Sequence, residues 1–321
     1  MSPPQIPKHT LQESPTTRSI TVSNWTITSS THPISNAPQC DALHASLGGN
    51  LPLPEMTFGQ NYLSLLHRPT GKAWAFTTDE ALRCVKTGEL SEGDGPVKVG
   101  YADKWLQSRT GEGSMMPMPE VVATKPYDWT YTTTYTGHET QLEADTDISS
   151  IVEPRPINEA QRKFKWVDAD PEERSQSIPL AELSRPDPIL FYAEIPLFED
   201  ELHDNGSSSL LVRIRVMPTC FFLLSRFTLR VDNVLFRTFD TRIYHSFSFE
   251  SPPILVRELG GWEAPYDHVQ RHLPKRDDLT PLTDPTFIAK VLTEMSKRIS
   301  QREGAKTGWR GLGSRAQVAA L

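Results

Sequence analysis

A chain of 321 residues, 37% of them hydrophobic, is long enough to bury one large core or two ordinary ones. Its formal net charge of −7 argues against nonspecific nucleic-acid binding, which needs a surplus of Lys and Arg on one face, although a local basic face stays open. Cys40, Cys84 and Cys220 form no CxxC, no basic region precedes an apolar run at the start, and no segment approaches the roughly 20 apolar residues that span a bilayer. The composition therefore points away from a disulfide framework, a zinc knuckle and a membrane span, and towards a reducing intracellular compartment.

Residues 1–18 are rich in Pro, Ser and Thr and are expected to be disordered, because they carry too little apolar surface to offset the entropy of ordering. Alternation predicts a first strand over 19–28. Residues 56–66 and 73–76 read as a strand pair joined through Pro69-Thr70-Gly71-Lys72, a turn-forming stretch. Thr78 is placed to cap a helix over 79–86, whose first turn holds Asp79 and Glu80 at the positive end of the helix dipole. A short helix over 102–108 follows. In KPYDWTYTTTYTG, Tyr127, Trp129, Tyr131 and Tyr135 alternate with polar residues, a strand whose aromatic face either packs in the core or stacks a ligand. Ile148 comes next, in the acidic stretch DTDIS. Residues 153–187, charged and proline-rich, read as a poorly packed insertion with one short helix near 159–165.

The block LFEDELHDNGSSSLLVRIRVMPTCFFLLSRFTLRVDNVLFRTFDTRIYH, residues 197–245, is the clearest β segment. Val212, Ile214 and Val216 alternate with Arg213 and Arg215, the period of a strand with one buried face. Asp232-Asn233 reads as a two-residue hairpin turn. That register sets Phe227, Leu229 and Val231 opposite Thr238, Phe236 and Val234 on a core face, with Arg226, Thr228, Arg230 and Arg237 on the other. Near the end, Asp284 and Pro285 suit an N-cap and first helical position. Phe287, Ile288, Val291, Leu292, Met295 and Ile299 then make one apolar stripe. After 302 the chain is Gly-rich and basic and reads as a mobile tail, 303–321. The predicted strands, the few short helices and the C-terminal amphipathic helix lie between the disordered start and the mobile tail, over 19–302.

Glu199, Asp200, Glu201, His203 and Asp204 put carboxylates and an imidazole close together, which suits a metal or general-base site or, as readily, a solvated acidic loop before Gly206. Asp240, Arg242 and Tyr244 share one face of a strand, with His245 adjacent, and form either an ordinary ion-paired surface or a recognition patch. Arg226, Arg230 and Arg237 either clamp an acidic partner or solvate a sheet face. Walker, GxSxG, HExxH and paired CxxC motifs are absent. A hydrolase using these carboxylates with His203 or His245, and a peptide- or sugar-binding module using the aromatic face, are the alternatives.

LPLPEMTFGQNYLSL, DEALRCV, KPYDWTYTTTY, LFEDELHDNG, VRIRVMP, FFLLSRFTLRVDNVL and DTRIYH, spread over residues 20–260, closely resemble the TOR-signalling pathway regulator-like family (TIPRL), in a fungal-type form. The resemblance implies a non-catalytic regulator without cofactor or metal, monomeric, cytoplasmic and with nuclear access also open. It would bind the catalytic subunit of type 2A protein phosphatases and the TOR-linked phosphatase-binding protein. It further implies a compact α+β fold, one domain over 19–302, with antiparallel sheets in a sandwich-like arrangement framing a groove for the phosphatase's C-terminal tail. Carried over by motif, it implies partner contacts at Glu80, Ile148, Thr238 and Asp240, to which Arg242 and Tyr244 on the same strand are added.

Overall fold

Alternation in the chain becomes two antiparallel sheets. The computed structural model describes residues 8–49, 53–83, 137–141, 164, 166–169, 190–200, 206–231, 235–247, 254–276, 278, 280–300 and 310–321. Among these, a six-stranded sheet contains β1 (His9–Glu13), β2 (Thr17–Val22), β3 (Trp25–Ser30), β5 (Tyr62–His67), β6 (Lys72–Thr77) and β7 (His138–Gln141), in that order. An eight-stranded sheet runs β4 (Met56–Thr57), β9 (Phe191–Asp200), β10 (Gly206–Val216), β11 (Cys220–Val231), β12 (Leu235–Ser246), β13 (Ile254–Pro265), β14 (Arg310–Ala320) and β8 (Val167–Asp168). Neighbours β9 to β13 follow one another in sequence, so this part of the second sheet is a plain meander. Described helices are α1 (Ala37–Ser46), α2 (Thr78–Arg83), α3 (Tyr266–Gln270) and α4 (Pro285–Ser300).

The inner faces of the sheets meet in one core. Ile20, Ile27, Leu63 and Phe76 from the first sheet pack with Ile195, Val212, Leu223, Phe227 and Ile243 from the second. Polar side chains also tie the sheets together. The Asn61 amide donates to the Pro196 carbonyl at 2.7 Å, and Arg18 donates to the Tyr192 carbonyl at 2.6 Å. A smaller core lies on the outer face of the second sheet, where Phe236 and Ala264 meet Tyr266 and Val269 of α3 and Ile288, Val291 and Leu292 of α4. Asp284 accepts a bond from the Thr286 N–H at 2.8 Å, as an N-cap does.

Several expectations need correction. Residues 9–13, expected to be disordered, form β1, an exposed strand paired with β2. The single strand over 19–28 is a hairpin, broken at Ser23, whose φ of +52° turns the chain. Met56-Thr57 leaves the 56–66 strand and joins the other sheet beside β9. The Thr78 hydroxyl donates to the Phe58 carbonyl at 2.8 Å and so anchors α2 from outside. Within the 153–187 stretch, Phe164 is buried in the inter-sheet core, Trp166 packs on it, and β8 pairs with β14. In the 303–321 tail, Arg310–Ala320 is paired along β13 as β14, because an extended partner supplies hydrogen bonds that composition does not reveal. The predicted helix over 102–108, the aromatic strand over 127–135 and Ile148 lie outside the described residues.

The β11–β12 hairpin exists, but in another register. Val231 pairs with Leu235, leaving three residues in the loop, so Arg226 faces Asp240, Phe227 faces Phe239 and Leu229 faces Arg237. A shift of one residue moves every β12 side chain to the opposite face. Arg237 therefore points inward, where it donates to Glu263 at 2.7 Å, and Phe236 points outward into the smaller core.

Candidate functional site

Directly opposed residues on adjacent strands share a face, so the register maps the outer surface of the second sheet. One row runs Glu194, Leu211, Arg226, Asp240 and Gly260 across β9 to β13. The next, one pleat along, runs Tyr192, Arg213, Leu224, Arg242 and Glu258. Arg215, Phe222, Tyr244 and Val256 follow. Arginines outnumber acids here. Arg213, Arg215, Arg226, Arg230 and Arg242 share the face with the carboxylates Glu194, Glu199, Asp240 and Glu258, in a chain that is acidic as a whole.

Asp240 organises the centre. Arg226 donates to it through both Nε (2.7 Å) and a terminal nitrogen (2.9 Å), the bidentate fork that a guanidinium makes with a carboxylate. Arg242 donates to the second oxygen at 3.0 Å. Asp240 is only 5% exposed and Arg226 9%, whereas the Arg242 side chain is 41% exposed. Asp240 does not reach outward: Gly260 opposite it offers no side chain, and two cations have taken up its oxygens. Its charge is spent inside the fold, and the part of the cluster that meets solvent is the positive end at Arg242.

Beside this cluster Arg213 is half-buried over the Tyr192 ring, its guanidinium carbon 5.9 Å from the ring centroid. Its Nε is shielded from solvent and has no hydrogen-bond partner. The Tyr192 hydroxyl donates to Glu194, and burial followed by that bond pushes the Tyr192 phenol up to about 12. Tyr192 therefore stays neutral and hydrogen-bonded at physiological pH.

The remaining expected contacts fall elsewhere. Thr238 sits between Thr228 and Trp262, 1% exposed, with its hydroxyl lacking a hydrogen-bond partner. Tyr244 is half-buried beside Phe222 and Val256. Glu80 is on α2, whose Ala81 and Leu82 enter the inter-sheet core. Burial, then Asp79, raises the Glu80 carboxyl pKa, and Arg83 at 3.3 Å pulls it back. His245, next to Tyr244 in sequence, faces inward against Trp25 and Phe221. Residues 201–205 of the acidic stretch are outside the described residues. Among the described residues no group of three or more His, Cys, Asp or Glu is placed to hold a metal ion.

Sequence reasoning missed a second arginine arrangement, on the inner face. The Arg257 guanidinium lies 4.2 Å from the Trp74 ring centroid and 4.0 Å from that of Trp166, and it donates to Gln317, which in turn donates to Asp168 at 3.1 Å. These partners come from β6, β8, β13, β14 and the Trp166 segment. No local pattern connects them.

The TIP41-like family model matches residues 56–270 of the chain. The human TIP41-like protein is 40% identical over 270 residues, covering 84% of this chain and 83% of the human protein. The Saccharomyces cerevisiae protein named type 2A phosphatase activator TIP41 is 34% identical over 292 residues, 87% of this chain and 73% of its own length. The Schizosaccharomyces pombe protein of that name is 31% identical over 260 residues, 81% and 87% of the two chains.

Proposed function

This chain belongs to the TIP41-like family, and on that premise we propose that it regulates type 2A protein phosphatases by binding their catalytic subunit, without catalysing a reaction of its own. The observation that carries the reading is the similarity, over most of this chain, to two yeast proteins named type 2A phosphatase activators. Its link is to TOR signalling, with the TOR-linked phosphatase-binding protein as a further partner. It works as a cytoplasmic monomer that also reaches the nucleus. Among the described residues no helix is long and apolar enough to cross a membrane, which is compatible with that setting.

The contact surface in this reading includes Arg242 and Tyr244 on the outer face of the second sheet, with Asp240 and Thr238 beneath them. Glu80 on α2 and Ile148 are further contacts in this reading, and the sheets frame a groove for the phosphatase's C-terminal tail. Rigid presentation supports this assignment, since β12 is held by backbone pairing on both sides and its side chains cannot swing with a loop. Affinity capture of the tagged full chain from cell extract, followed by mass spectrometry, tests it. Type 2A-class catalytic subunits are expected among the strongest partners; their repeated absence would overturn the reading.

A further inference from the structure

We infer that β1 is a docking edge for a second copy of this chain: two β1 strands pair antiparallel about a two-fold axis at Leu11 and join the six-stranded sheets of two molecules into one. The inference does not depend on the phosphatase reading, and the monomer of that reading is the form present at low concentration.

Among the described residues β1 pairs with β2 alone, and all five of its residues are exposed. The turn that follows fixes which backbone groups it offers. Ser14 donates its N–H to the Thr17 carbonyl at 2.8 Å, so these two form a hydrogen-bonded pair. Alternation then makes Glu13–Arg18, Leu11–Ile20 and His9–Val22 the pairs whose N–H and C=O groups point away from the neighbouring strand. The strand holds no proline and no bulge to blunt that edge, and the charge of Glu13 is met by Arg18 at 2.8 Å.

Leu11 lies opposite Ile20, which is fully buried between the sheets, so its side chain is on the core face. It is nevertheless 48% exposed: the apolar row runs out past the cover of the second sheet. A strand completing this edge needs an apolar residue opposite Leu11 and no acid opposite Glu13, and β1 itself meets both conditions. In the antiparallel register centred on Leu11, Leu11 faces its own copy, Thr10 faces Gln12 and His9 faces Glu13. All five residues are then paired, the outward backbone groups of one strand meet those of the other, and like charges are never opposed. Lys8, just outside the strand, falls opposite Ser14. Centring the axis on His9 or on Glu13 sets like groups against each other and pairs fewer residues. A contact of this length buries well under the roughly 1,200 Å² of a specific stable interface, so the association is weak and reversible.

Sedimentation velocity of the full chain over a concentration series tests this. The wild type should pass from monomer to dimer as it is concentrated. Leu11→Lys sets two ammonium groups opposite each other at the axis, and Leu11→Pro removes an outward N–H while leaving the bonds to β2 in place. Each should raise the dimer dissociation constant at least about tenfold with the unfolding midpoint unchanged. Leu11→Cys supplies a geometric check. A residue on the axis meets its own copy with about 5.5 Å between Cα atoms, within disulfide reach, so this variant should cross-link two chains under mild oxidation, against the wild type as background for the native cysteines. Thr10→Cys, which faces Gln12 instead of its own copy, should not cross-link. A wild type that stays monomeric at every concentration overturns the proposal. So does a dimer that Leu11→Lys leaves intact, or a cross-link that Thr10→Cys forms as readily as Leu11→Cys.

Discussion

Asp240→Leu removes the acceptor of three hydrogen bonds and leaves Arg226 as a charge with 9% of its surface exposed. Taking one partner from a buried ion pair typically costs about 3–5 kcal/mol, because the survivor stays desolvated without compensation. The lost contact to Arg242 adds little, as its side chain is 41% exposed and solvent screens it, so about 0–1 kcal/mol covers it. Together these give about 3–6 kcal/mol, and at about 2–4 °C per kcal/mol for a domain of this class the unfolding midpoint should fall by about 6–24 °C. Arg226→Met combined with Asp240→Leu should regain most of that loss, because replacing both members of a buried pair by apolar groups is often neutral or stabilising. Differential scanning calorimetry on the wild type, both single variants and the double variant measures the cycle. An unshifted midpoint in Asp240→Leu, or a double variant as unstable as the sum of the singles, would refute the account of Asp240 as an internal anchor. The consequence for interface mapping is direct: weaker phosphatase binding in Asp240→Leu cannot by itself place Asp240 in the interface.

Phe227→Ala and Phe236→Ala should each cost about 3–5 kcal/mol through lost transfer energy and the residual cavity, and their effects should add, since the rings enter different cores on opposite faces; urea titration of the double variant checks additivity. Burial, then His245 and Lys72, lowers the His67 pKa from 6.5 to about 4. The folded state therefore binds fewer protons than the unfolded one between those values, and the contribution is fully present above about pH 6.5 and lost as pH falls through about 4. Denaturant unfolding at pH 7 and pH 4.5 should show a larger drop for wild type than for His67→Asn, and equal drops would contradict the assignment. Arg257→Lys should destabilise by about 1–2 kcal/mol, since an ammonium does not reproduce the contacts that the broad guanidinium makes with the Trp74 and Trp166 rings, 4.2 and 4.0 Å from its carbon; the unfolding midpoint reads it.

The strands whose faces differ sharply were legible in the sequence. Val212, Ile214 and Val216 are buried and Arg213 and Arg215 face outward, as alternation requires. The hairpin after them was legible as a hairpin but not in register, because Asp232-Asn233 suits a two-residue turn and nothing local distinguishes that from the three-residue loop between Val231 and Leu235. That one position decides whether Arg237 or Phe236 enters the inter-sheet core. β14 was hidden because Gly, Ala and Arg carry no strand preference, and its pairing with β13 is set by sequence distant from it. Phe164 and Trp166 left a signal that could have been read, two large aromatics at strand spacing inside an otherwise polar stretch. For the candidate site, the side-by-side placement of Asp240, Arg242 and Tyr244 followed from β12 alone, whereas burial of Asp240 by Arg226 depended on the register and the exposed role of Arg242 followed only from that pairing.

The central claim, that this chain is a phosphatase-binding regulator, is tested most directly by calorimetric titration of the purified full chain with an isolated type 2A catalytic subunit. Saturable binding at a fixed stoichiometry, weakened as salt is raised because charged groups contribute to the contact, is the predicted result. A titration with no heat of binding, in which the two proteins also separate on gel filtration, would contradict it.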